Sequence, residues 1–161
     1  MQNMRRTRSR VTRRSFLAAG SIGAVASVAL PGQVGATQPS PEEQANTTAV
    51  NDFCAAFTVP LDWARIASFL SDDCKYRASQ NIQIVEGPDA IVGFLESFAG
   101  NATSAEFEVL DTWARGPVVV NDRVDRFVLP NNTLEIPVVG VFYLVNGKIA
   151  EWTDFVFGAV G

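Results

Sequence analysis

VVVNDRVDRFVLPNNTLEIPVVGVFYLVNGKIAEWTDFVF, residues 118–157, is the stretch on which the fold turns. β-Branched and aromatic residues dominate it, and two turn signals divide it, Pro130-Asn131-Asn132 and Asn146-Gly147. Strands are therefore expected over 118–128, 134–145 and 148–157, the last two joined by the two-residue Asn-Gly hairpin turn. Just upstream, 107–114 reads as a further strand, closed by Arg115-Gly116-Pro117.

Before residue 107 the period changes. Ala45, Val50, Phe53, Cys54 and Phe57 fall at helical spacing over 42–57, with Ser40 as a cap ahead of Pro41 and Pro60 as a breaker. Asp62 caps a short helix over 63–70, Ser71-Asp72-Asp73 ends it, and 74–78 begins a short strand. A third helix runs over 90–98 between Gly87-Pro88 and Gly100-Asn101. Helices followed by a run of strands is an α+β order. The expected architecture is a strongly curved, mixed or antiparallel sheet whose concave side is closed by three to four N-terminal helices, leaving a pocket between the layers.

Composition narrows the chemistry. The chain has 161 residues, 47% of them hydrophobic, with eleven Phe and three Trp, enough for one domain with a real core. It contains no histidine. That excludes Ser-His-Asp and Cys-His catalysis and the commonest zinc sites, and neither a metal nor a cofactor is expected. Proton transfer falls to carboxylates, Tyr, Lys, Arg or Cys. Cys54 and Cys74 allow two readings, a disulfide closing a loop worth ~3 kcal/mol or two buried thiols.

The formal charge of −4 conceals two regions. Residues 1–36 carry six Arg and no acid, leaving seven basic against 17 acidic residues in the remainder. So acidic a body repels phosphate backbones, and no nucleic-acid partner is expected. Thr12-Arg13-Arg14-Ser15-Phe16-Leu17, followed by the apolar run Ala18 to Leu30, resembles a twin-arginine export signal. The 13-residue run is short of the ~20 residues a spanning helix needs, so no stable membrane span is expected after cleavage. Val34-Gly35-Ala36 offers the small residues a signal peptidase requires. The expected organisation is a signal peptide over 1–36, a polar linker over 37–46 and a domain over 47–161, exported to the periplasm or beyond.

The charges inside the strands carry the functional reading. In Asn121-Asp122-Arg123-Val124-Asp125-Arg126, alternation puts Arg123 and Asp125 on one face. Same-face neighbours stand ~7 Å apart, within reach of a guanidinium. Asp154, between the apolar Trp152 and Val156, is costly to bury unless partnered. Arg123 bridging Asp125 and Asp154 would hold two carboxyls that can share one proton. The same spacing also suits a buried ion pair that fixes register.

The stretches Asn121-Asp122-Arg123-Val124-Asp125-Arg126-Phe127, Ile136-Pro137-Val138-Val139-Gly140-Val141-Phe142 and Gly147-Lys148-Ile149-Ala150-Glu151-Trp152-Thr153-Asp154-Phe155 resemble the limonene-1,2-epoxide hydrolase family. That family reads Glu-Arg-Val-Asp, then Pro-x-x-Gly-Val-Phe, then Gly-Lys-Ile-x-x-Trp-Arg-Asp-Tyr-Phe. The resemblance implies a cone-shaped fold like nuclear transport factor 2, a homodimer formed through the outer sheet face, and hydrolysis of a small apolar epoxide to a vicinal diol. It implies Asp125 as general acid, Asp154 as the base acting on water, Arg123 orienting both, and Tyr76 as a water ligand. Three positions depart from the pattern. Ala78 replaces the family's water-binding Asn, although Ser79, Gln80 or Asn81 stand close enough to substitute; Thr153 replaces Arg and Phe155 replaces Tyr.

Two alternatives follow. An epoxide-opening or polyketide-type cyclase, or an isomerase needing an oxyanion-stabilising Tyr from Tyr76 or Tyr143, would use the same acids. A pocket of this fold that binds a small molecule without reacting is the other.

Overall fold

The computed structural model describes residues 38–158. The leader expected over 1–36, and its cleavage point, lie outside them. Helix α1 spans Pro41–Ala55 and opens with a reciprocal capping box. Ser40 Oγ accepts from the Glu43 amide, and the Glu43 carboxylate accepts from the Ser40 amide. The helix expected over 42–57 thus begins at Pro41, inside the stretch also read as the end of the linker, and Asn46 is buried with its side chain donating to Gly116 O. Helix α2, Trp63–Ser68, is capped by Asp62 as its sequence requires. Helix α3, Pro88–Ala99, buries Ile91, Leu95 and Ala99, one residue per turn.

Six strands follow the chain order β1 (Leu70–Arg77), β2 (Val85–Glu86), β3 (Ser104–Arg115), β4 (Val118–Leu129), β5 (Asn132–Val145) and β6 (Lys148–Val156). They form one curved sheet in the order β2-β1-β6-β5-β4-β3. The hairpins at the C-terminal end form as the turns dictate, with Asn146 and Gly147 both at positive φ (52° and 74°).

The first strand departs from expectation. It starts at Leu70, because Leu70 pairs in parallel with Ile149, and the ladder then slips before Lys75. Ser71-Asp72-Asp73, read as a turn, occupies that slip. The parallel β1–β6 pair makes the sheet mixed and brings the chain's first strand beside its last. Val85–Glu86 adds a short edge strand that two residues are too few to announce.

Alternation along β4 buries Val119, Asn121, Arg123, Asp125 and Phe127 on the concave face. Val138, Phe142 and Leu144 of β5, and Ile149, Trp152 and Asp154 of β6, share it. Phe53 of α1 meets Phe142 and Trp152 edge to face, with ring centroids 6.1 and 5.0 Å apart. Helix α1 closes this face through Val50, Phe53, Cys54 and, just beyond its end, Phe57. Trp113 (β3), Tyr143 (β5) and Phe155 (β6) lie partly exposed on the sheet residues. Tyr143 therefore cannot serve as the oxyanion donor that the isomerase reading allowed it to be.

Candidate active site

Register places the polar residues. Asn121 of β4 pairs with Gly140 of β5, which pairs with Asp154 of β6, forming one row across three strands. One row over, Phe142 pairs with Trp152 and Trp152 with Tyr76. Arg123 stands two residues from Asn121, and its side chain crosses β5 to reach Asp154. Gly140 makes that crossing possible, because a Cβ there would lie 2.2 Å from Arg123 Nη1 and 2.6 Å from Asn121 Oδ1.

The guanidinium, fully buried, donates along three edges. Nε donates to Asp125 Oδ1 at 2.7 Å, and Nη2 donates to Asp154 Oδ1 at 2.8 Å and to Asp125 Oδ2 at 3.2 Å. Nη1 donates to Asn121 Oδ1 at 3.1 Å. The Phe107 ring lies 4.9 Å from its central carbon. The expected triad of Asp125, Arg123 and Asp154 is therefore brought together. Tyr76 joins it through its hydroxyl, 3.4 Å from Asp154 Oδ2, with its ring stacked on Trp152 at 3.8 Å.

The two carboxyls are not equivalent. Asp154 accepts three hydrogen bonds, from Arg123 Nη2, from Trp152 Nε1 at 2.7 Å and from the Tyr76 hydroxyl, whereas Asp125 accepts two, both from Arg123. Burial raises Asp125 to about 6, against the lowering by Arg123. Burial also raises Asp154, opposed by Arg123, Trp152 and Tyr76. Burial by itself would lower Arg123, but the two carboxylates more than reverse this, so the guanidinium stays charged. One positive charge between two acids leaves room for one proton. The extra donor at Asp154 favours its anion, and with it the proton on Asp125, because hydrogen bonds to a carboxylate favour the charged form; the burial of Asp154 works against this. Burial and the neighbouring Asp154 charge hold Tyr76 well above its usual range, so it stays a phenol.

These groups face a cavity of about 220 Å³ lined by Phe94, Phe98, Phe127, Ile136 and Val156, with Tyr76, Asp125 and Asp154 as its polar members. Such a site takes an apolar molecule and presents it to two carboxyls. Ala78 also lines it, putting a methyl group beside Tyr76. The residues that stood near enough to replace the missing amide do not do so. Gln80 spends its side chain on the Val156 backbone, donating to its carbonyl at 3.2 Å and accepting from its amide at 3.3 Å. Ser79 and Asn81 do not line the cavity. Thr153 and Phe155 alternate with Trp152 and Asp154 and so point away from the site. Among the described residues no three His, Cys, Asp or Glu side chains converge as a metal set.

Asn121 was missed as a site residue. Its same-face spacing with Arg123 and Asp125 was available, but a neutral amide in a strand gives no electrostatic signal. Both cysteines are free and buried, which decides between the two readings in favour of separate thiols. Burial pushes each up to about 12.

Comparison with known proteins places the fold. The chain is similar to an LEH-like epoxide hydrolase from M. tuberculosis, at 24% identity and a TM-score of 0.65 over 73% of this chain and 86% of that one. It is also similar to a protein with a ketosteroid-isomerase-like fold from Catenulispora acidiphila (15%, TM-score 0.59, 66% and 82%). An NTF2-like protein from Cytophaga hutchinsonii resembles it at 12% identity (TM-score 0.57, 72% and 99%). At these identities the likeness establishes the fold. No curated protein matches the sequence. The model of the limonene-1,2-epoxide hydrolase catalytic domain matches residues 44–159, and the chain belongs to that family.

Proposed function

We propose that the protein is a cofactor-independent epoxide hydrolase that adds water to a small apolar epoxide in one acid–base-assisted step. The observation that carries this reading is the single buried guanidinium holding two unequal carboxyls at the wall of an apolar cavity. Asp154, the better solvated by hydrogen bonds, is the base and takes a proton from water as that water attacks a ring carbon. The carbon–oxygen bond of the epoxide breaks, and its oxygen takes the proton of Asp125. The product is a diol, with the proton now on Asp154, and one exchange between the carboxyls restores the starting state. Each such acid or base contributes ~10²–10⁴-fold. Tyr76 Oη and Asp154 Oδ2 together supply the polar partners for the attacking oxygen.

Ala78 favours a second reading. With a methyl where a further water ligand would stand, a nucleophile tethered to the substrate is held by its own covalent bond. An epoxide carrying an internal hydroxyl would then close to a ring on the same acids. Offering simple epoxides and hydroxy-epoxides to the wild type, Asp125→Asn and Asp154→Asn separates the readings. Hydrolysis gives diols that both variants fail to make, while the cyclase gives only cyclic ethers. A protein that retains ligand but converts neither class would be a binding module.

We also propose export through the twin-arginine-like leader, which cell fractionation tests, and a homodimer through the outer sheet face. Partial exposure of Trp113, Tyr143 and Phe155 supports the dimer, and light scattering at the mass of one chain would remove it.

A further inference from the structure

We propose that Asn121 and Cys54 act as a positioning pair that fixes the rotation of the Arg123 guanidinium, and through it the setting of Asp125. Asn121 is fully buried and does not line the cavity, so it touches Arg123 but has no access to substrate. Its Oδ1 accepts from Arg123 Nη1 at 3.1 Å, and its Nδ2 donates to Cys54 Sγ on α1 at 3.3 Å. The carboxylates grip the Nε and Nη2 side of the guanidinium, and only Asn121 holds the Nη1 side among the described hydrogen bonds. β5 offers no side chain to share that task, because Gly140 lies beneath the group. Cys54 is 1% exposed and burial keeps its thiol neutral, so it anchors the amide to the helix without adding charge.

The geometry has a consequence that simple loss of packing does not. Without Asn121, a buried Nη1 has no acceptor, and the guanidinium turns to find one. Turning lengthens the Nε and Nη2 bonds that hold the Asp125 carboxylate. The kinetic consequence rests on the acid–base reading of the site, whereas the titration below requires no turnover.

The test follows the carboxyl-carbon NMR signal of Asp125 with pH in the full chain, assigned by its absence in Asp125→Asn. Asn121→Leu keeps the branched side-chain outline but removes the amide, and the Asp125 midpoint should rise by about one pH unit. Cys54→Ala should give a smaller rise, and Cys54→Ser, which retains an acceptor, should restore most of the wild-type value. Where an epoxide is turned over, kcat should fall by on the order of 10-fold or more with KM within about 2-fold. An unchanged midpoint in Asn121→Leu overturns the proposal, even if the variant melts lower. Should that variant fail to fold, identical midpoints in Cys54→Ala and wild type overturn it instead. A wild type that hydrolyses no epoxide counts against the hydrolase reading alone.

Discussion

Gly140→Ala is the substitution to which the site should be most sensitive for its size. The added Cβ would lie 2.2 Å from Arg123 Nη1, 2.6 Å from Asn121 Oδ1 and 2.8 Å from Phe142 Cε2. Bringing the nearest of these out to an ordinary contact of 3.4 Å requires a displacement of about 1.2 Å. Arg123 is fully buried and cannot relax toward solvent, so its guanidinium must lift off the sheet. A shift of that size stretches and misaligns the 2.8 Å bond to Asp154, weakening its hold on that carboxylate. Overpacking of a buried site costs about 1–3 kcal/mol, or roughly 5–15 °C in Tm for a domain of this length. A 1 Å misplacement of a catalytic group costs about 10²-fold in rate. Calorimetry and an epoxide assay on the same preparation read both numbers. Gly140→Ala with wild-type Tm and activity would show that the guanidinium does not lie against the β5 backbone, and the reasoning would fail with it.

Three further outcomes follow from the same charges. Burial raises Asp125 from the ordinary carboxylate value of 3.8 to about 6 in the folded protein, so between these values the folded state binds more protons than the unfolded one. Stability should therefore fall as pH rises from about 4 to about 6. Urea denaturation across that range should show a shallower fall in Asp125→Asn, and a parallel slope in that variant would contradict the assignment. Arg123→Ala removes the partner of two buried acids and should cost about 3–5 kcal/mol in urea denaturation, while Arg126→Ala, whose ion pairs with Glu108 and Glu135 are partly exposed, should leave the midpoint nearly unchanged. Cys54 and Cys74 should both resist thiol reagents in the native protein and both react in denaturant, with no change in Tm on adding reductant; one reactive native thiol would contradict their burial.

Much of this was legible because it depends on short-range rules. Ser40 ahead of Pro41, Asp62, and Asn146-Gly147 announce two helix starts and a hairpin from side-chain chemistry and backbone preference alone. Alternation likewise places Arg123 and Asp125 on one face of β4. The convergence of Asp154 on the same guanidinium is different in kind. It depends on the pairing of β4 and β6 with β5 between them, and on a glycine in the crossing position, which periodicity does not encode. The motif resemblance supplied what the spacing left open.

The misreadings share a cause. Ser71-Asp72-Asp73 is polar enough to look like a turn, yet the parallel pairing of Leu70 with Ile149 carries it into β1 as an irregular stretch. Gln80 was considered as a water ligand from proximity along the chain, but its amide extends the sheet's hydrogen bonding at Val156. In each case a long-range partner decided the outcome.

Direct attack by water, with neither carboxyl forming an ester, is best tested in a single turnover with enzyme in excess over an apolar epoxide in heavy-oxygen water. The acid–base arrangement around Arg123 requires the first diol formed to carry one heavy oxygen. A first-turnover diol without it, its new oxygen drawn instead from Asp125 or Asp154, would contradict the account.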